Sequence, residues 1–77
     1  MKKVSIYSTP TCHYCKLAKD FFNAHNVPYE EFDVASDIVK RQEMVEKSGQ
    51  MGVPVIQIDS EVIVGFSEEE LAQMLGV

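Results

Sequence analysis

Two cysteines three positions apart, in Cys12-His13-Tyr14-Cys15, fall where the hydrophobic period of the chain changes. Before them, Val4-Ser5-Ile6-Tyr7-Ser8 reads as a short buried strand, broken by Thr9-Pro10-Thr11. After them, Tyr14, Leu17, Ala18, Phe21, Phe22 and Ala24 recur at intervals of three and four, one face of a helix over about Lys16 to Asn26. A strand turning directly into a helix puts the first cysteine at a helix N-terminus. There the backbone N–H groups are unpaired and the helix dipole is positive. Both favour a thiolate, the species that attacks a disulfide. The second cysteine, one turn deeper, is placed to close a ring with the first and expel the product.

The rest of the chain alternates in the same way. Asn26 before Val27-Pro28 ends the first helix, since proline pushes its neighbour out of the α region. Tyr29–Val34 reads as a second strand. Ser36 or Asp37 caps a second helix that runs to about Ser48 and stops at Gly49; its apolar stripe is thin, with Ile38, Val45 and Met44 beside it. Val55–Ile58 and Glu61–Val64, joined by Asp59-Ser60, read as a hairpin. Ser67-Glu68-Glu69-Glu70 before Leu71, Met74 and Leu75 is a capping box: Ser67 caps the last helix and Glu70 reaches back. The order β-α-β-α-β-β-α implies a parallel β-α-β unit plus an antiparallel pair. The expected fold class is α/β, a four-stranded mixed sheet with three helices packed on it, as a single domain over residues 1–77.

Composition narrows the function classes. With 77 residues, 45% hydrophobic and 25% charged, the chain has the make-up of one small soluble domain. No apolar run approaches the ~18–20 residues needed to span a bilayer. Met1-Lys2-Lys3-Val4 is followed by too few apolar residues for a signal peptide. The expected compartment is the cytoplasm, where structural disulfides are rare, so the cysteine pair points to redox or metal chemistry. A net charge of −5 makes nucleic acid a poor partner. Acid gathers at Glu30, Glu31 and Asp33 and at Glu68 to Glu70, whereas His13, Lys16 and Lys19 surround the cysteines. Such a basic neighbourhood would help hold a thiolate; the plainer reading, for Lys19 above all, is an ordinary solvated helix charge. A zinc site is poorly served: beyond Cys12, Cys15 and His13 the chain offers only His25, about 15–18 Å along the same helix. No metal is assigned.

The cysteine motif, the element order and Gly52-Val53-Pro54 before the hairpin together resemble the glutaredoxin branch of the thioredoxin fold, over essentially the whole chain. Tyr7-Ser8-Thr9-Pro10-Thr11-Cys12, Gly49 to Val55 and Val64-Gly65-Phe66 look most like the short bacterial glutaredoxin-like proteins of the YruB type. They also resemble the small glutaredoxin-like electron donors of ribonucleotide reductase. The resemblance implies a thiol–disulfide oxidoreductase maintaining cell redox homeostasis, with Cys12 as nucleophile and Cys15 as the resolving thiol. It implies a cis Val53-Pro54 bond facing the cysteines, with Val53 free to pair with an extended substrate. Thr11, His13, Tyr14, Lys16, Val53, Pro54, Gly65, Phe66, Ser67 and Glu68 are the implied substrate- or glutathione-binding positions.

The resemblance also sets expectations about partners. Disulfide-bearing client proteins are the substrates, with glutathione or a flavoprotein reductase of the thioredoxin reductase kind supplying electrons to a monomer. No tightly bound cofactor is implied; glutathione would be a co-substrate. Two departures bear on that choice. Ser8-Thr9-Pro10 stands where glutathione-using relatives carry a lysine, and Phe66 stands where they have the second glycine of a Gly-Gly pair. A reductase-fed donor for ribonucleotide reductase or a peroxidase is the first alternative. An iron–sulfur cluster shared between two chains through Cys12, and a non-catalytic binding module, are more distant ones.

Overall fold

The computed structural model describes residues 3–77. Met1 and Lys2, part of the N-terminal segment read above as lacking a signal, lie outside the described residues. Seven elements follow one another: β1 (Val4–Ser8), α1 (His13–Ala24), β2 (Glu30–Asp33), α2 (Ile38–Ser48), β3 (Val55–Ile58), β4 (Glu61–Val64) and α3 (Glu68–Leu75). The strands form one mixed sheet in the order β2-β1-β3-β4. β1 runs parallel to β2 and antiparallel to β3, and β3 is antiparallel to β4.

Both faces of the sheet are covered. Val4 and Ile6 of β1, Ile56 and Ile58 of β3 and Ile63 of β4 pack with Ala18, Phe21 and Phe22 of α1 and Leu71 of α3. On the other face, Tyr7, Val55 and Val34 pack with Met44 of α2. The architecture is therefore α1 and α3, then the sheet, then α2. Every residue of β1 is buried, because it lies inside the sheet with helices on both sides.

Three local details differ from the sequence reading. α1 ends in a Schellman-type turn: Asn26 adopts φ 55°, its N–H donates to Asn23 O and the Val27 N–H to Phe22 O. Asparagine tolerates the left-handed region, so the helix stops there ahead of Pro28. In α2, Met44 is the buried anchor while Ile38 and Val39 are exposed, so the first turn lies off the sheet. In α3, Ser67 Oγ accepts from the Glu70 N–H at 3.4 Å. The return bond, from the Ser67 N–H to the Glu70 carboxylate, is not made among the described residues. Asp37 and Gly49 cap α2, and Asp59-Ser60 turns the hairpin, as the spacing predicts.

The α2 face carries a polar seam. The Tyr7 hydroxyl donates to Glu43 Oε1 at 2.6 Å, and Lys47 Nζ donates to Tyr7 Oη, Glu43 Oε1 and Gln57 Oε1. Hydrogen bonds from Tyr7 and then Lys47 hold the Glu43 carboxyl at about 2, below its ordinary 4.5. A lowered folded value means that ionised Glu43 stabilises the fold above pH 4.5, and that this contribution is lost as pH falls from there toward 2. Glu43→Gln is therefore expected to lower the melting temperature at pH 7 and to flatten its decline between pH 4.5 and 2. A variant curve parallel to wild type across that window would sink the assignment.

Candidate redox site

The strand registers bring the motif residues to one end of the sheet. Tyr7 pairs with Val55, which puts Pro54 across from Ser8. Val55 pairs with Val64, and the Gly65 N–H donates to Pro54 O at 2.8 Å. The Val34 N–H donates to Ser8 O at 2.9 Å. Ser8, Val34, Pro54 and Gly65 thus mark one end. From it, Thr9 to Thr11 lead into α1, and Phe66 leads into α3.

Cys12 is the N-cap of α1, with φ −84° and ψ 114°. Its Sγ takes the place usually held by a serine or aspartate oxygen and accepts the Cys15 N–H at 3.2 Å. The first turn of α1 contains no acidic residue, so nothing on the helix competes with a negative sulfur for its positive end. Cys12 is half-buried and Cys15 is completely buried, both as free thiols. Burial, followed by the hydrogen bond with Cys12, pushes the Cys15 thiol up to about 12. The pair is therefore asymmetric: one sulfur is reachable and bonded to a helix N–H, and the other is shielded and held protonated.

The remaining positions fall into three groups. Thr11, His13, Tyr14 and Lys16 are exposed around Cys12; Tyr14 is 60% exposed and meets the His13 ring edge-on at 5.7 Å. The Val53-Pro54 bond is cis, Pro54 is buried, and Val53 packs against the α2-side core. Gly65 adopts φ 85°, which suits glycine alone, whereas the Phe66 ring turns into the α1–α3 core and meets Phe21 at 6.5 Å. Phe66 thus packs on this core while remaining part-exposed. Ser67 caps α3, and Glu68, Glu69 and Glu70 crowd its first turn. Among the described residues, no three His, Cys, Asp or Glu side chains are grouped to hold a metal, and no helix is long and apolar enough to cross a membrane.

The glutaredoxin family model matches residues 4–63. The chain belongs to the glutaredoxin family. It is 43% identical over 72 residues to a glutaredoxin-like 8.6 kDa protein from a rubredoxin operon of Clostridium pasteurianum, covering 94% of this chain and 96% of that protein. Glutaredoxin 3 of Escherichia coli is 38% identical over 68 residues, covering 88% and 82%. Among solved structures, the thioredoxin-like protein BC3987 superposes with a TM-score of 0.88 at 38% identity, over 94% of this chain and 99% of that one. The protein is a glutaredoxin-like thiol–disulfide oxidoreductase with the thioredoxin-like fold. In sequence, Lys19 reads as a basic neighbour of the cysteines or as a solvated helix charge, Glu31 as part of an acidic run and Ser8 as a strand end. The structure joins them: Lys19 Nζ lies 2.7 Å from Glu31 Oε2, which also accepts from Ser8 Oγ at 3.0 Å. The available signal was the four-residue spacing of Cys15 and Lys19 on one helix.

Proposed function

We propose that this glutaredoxin reduces protein disulfides by a two-thiol cycle as a single cytoplasmic domain and a monomer. Cys12 attacks one sulfur of the client disulfide and forms a mixed disulfide. Cys15 then attacks Cys12 Sγ, the client leaves with two reduced sulfurs, and the Cys12–Cys15 disulfide is re-reduced. The observation that carries this assignment is the Cys15 N–H on Cys12 Sγ beside a fully buried Cys15.

Exposed apolar side chains favour protein clients. Tyr14 and Val64 are exposed beside the motif and beside Gly65, and Ile38 and Val39 lie exposed on the first turn of α2. An exposed aromatic in the motif itself, as Tyr14 is, suits contact with another protein surface. Glutathione is a poorer fit. Its carboxylates would meet Glu68, Glu69 and Glu70 at the α3 N-terminus, and Thr9 offers no cation. A flavoprotein reductase is the better match as electron source.

Two turnover assays test the reading. With dithiothreitol as the final reductant, catalytic amounts of the protein should accelerate insulin disulfide reduction. With a glutathione mixed disulfide and glutathione alone, turnover should stay at least about tenfold below that of a glutathione-fed relative such as glutaredoxin 3. Brisk glutathione turnover would reassign the electron source, and an inert protein in the insulin assay would remove the two-thiol cycle.

A further inference from the structure

Cys15 has to lose its proton before it can close the ring, yet it is completely buried, an environment that opposes charge. Lys19 lies one turn further along α1, at the i,i+4 position that shares its face. A long lysine chain at a helix surface ordinarily carries its ammonium out to water. Here Lys19 Nζ is held 2.7 Å from Glu31 Oε2 on β2. The same oxygen accepts from Ser8 Oγ at 3.0 Å, and Ser8 is 1% exposed at the end of β1 where the chain leaves for Cys12. A hydroxyl from β1 and an ammonium from α1 thus converge on one carboxylate oxygen of β2.

We propose that Lys19 supplies the positive charge that supports the Cys15 thiolate during ring closure, and that Glu31, fixed by Ser8, is the positioning residue that keeps Lys19 there. The proposal rests on the two-thiol cycle above. Lys19 acts by its field and does not take up the proton: its hydrogen bond to Glu31 raises its pKa above the ordinary lysine value. The other charged or titratable groups acting on Cys15 or on this pair are Cys12 at the N-cap and Tyr29 and Asp33 on the β2 side. In the step itself, the Cys15 S–H bond breaks, Cys15 Sγ bonds to Cys12 Sγ, and the bond from Cys12 to the client sulfur breaks. The Cys15 proton passes to solvent, and the client sulfur leaves with that electron pair and takes a proton from solvent, so that protons balance.

Stoichiometric Ellman's reagent separates the two attacks by stopped-flow absorbance. The first thionitrobenzoate is released as Cys12 forms its mixed disulfide, and the second as Cys15 displaces it. Lys19→Met keeps the aliphatic stem and removes the charge. A one-unit rise in the Cys15 pKa cuts its thiolate tenfold and raises its nucleophilicity about threefold, so the second release is expected to slow about threefold from pH 6 to pH 9. The first release should stay within about twofold, Lys19→Arg should restore the second, and Glu31→Ala should slow the second as Lys19 is freed. An unchanged second release in Lys19→Met, in protein with a native circular dichroism spectrum, would overturn the proposal. So would a faster one in Glu31→Ala, because Glu31 would then be only an opposing charge. A wild-type protein that releases a single thionitrobenzoate per chain would instead remove the two-thiol cycle itself.

Discussion

Cys12→Ser is expected to abolish disulfide reduction, by at least about 10³-fold in an insulin turnover assay, because a serine hydroxyl at neutral pH provides almost none of the anion a thiol provides. Cys15→Ser should behave differently. Its reachable sulfur remains at the α1 N-terminus, so the first attack persists. The second cannot occur, and the client stays attached. Mass spectrometry of the Cys15→Ser protein mixed with a disulfide peptide should show one peptide bound per chain, released by dithiothreitol. If Cys12→Ser retained turnover or Cys15→Ser captured nothing, the division of labour between the two sulfurs would be wrong. The reciprocal outcome, capture by Cys12→Ser alone, would make Cys15 the attacking thiol in spite of its burial.

The largest expected loss of stability comes from Phe22→Ala. Phe22 is completely buried on α1, with its ring 5.3 Å from Tyr29 and 6.1 Å from Phe21. Removing such a ring takes away its transfer free energy and leaves a cavity, together about 3–5 kcal/mol. Small domains hold only about 5–15 kcal/mol in total. For a chain of 77 residues, each kcal/mol shifts the melting temperature by roughly 4–8 °C. Scanning calorimetry should therefore show a fall of roughly 12–40 °C. A fall below about 5 °C would mean that α1 and β2 collapse into the space and that the ring is not a keystone of this core.

The order of elements was legible because each boundary had its own local chemistry. Asp37 and Gly49 cap α2, Asp59-Ser60 fits a two-residue hairpin, and Ser67 caps α3. The cysteine site was legible for the same reason, since a helix N-cap is a local property of the chain. What escaped depended on which element lies against which. Ile38 and Met44 are both apolar positions of α2, and only the placement of that helix across the sheet decides that Met44 is buried and Ile38 exposed. Phe66 stands in sequence only as a departure from a Gly-Gly pair, and its packing beside Phe21 becomes visible once α1 and α3 share a face of the sheet. Lys19, Glu31 and Ser8 lie on α1, β2 and β1, and the parallel pairing of those strands brings Ser8 and Glu31 together for Lys19 to reach.

The strand order leaves β2 and β4 with one unpaired flank each. A bare strand flank invites another chain to add itself. β2 answers it with acid: Glu30, Glu31 and Asp33 occupy three of its four positions. A second copy laid along it would bring carboxylates against carboxylates, with Lys3 and Lys19 already drawn to Glu30 and Glu31. β4 is only four residues long and opens with Glu61. The acidic flank of β2 therefore disfavours edge-to-edge growth of the sheet, and with it the fibres that such growth would build.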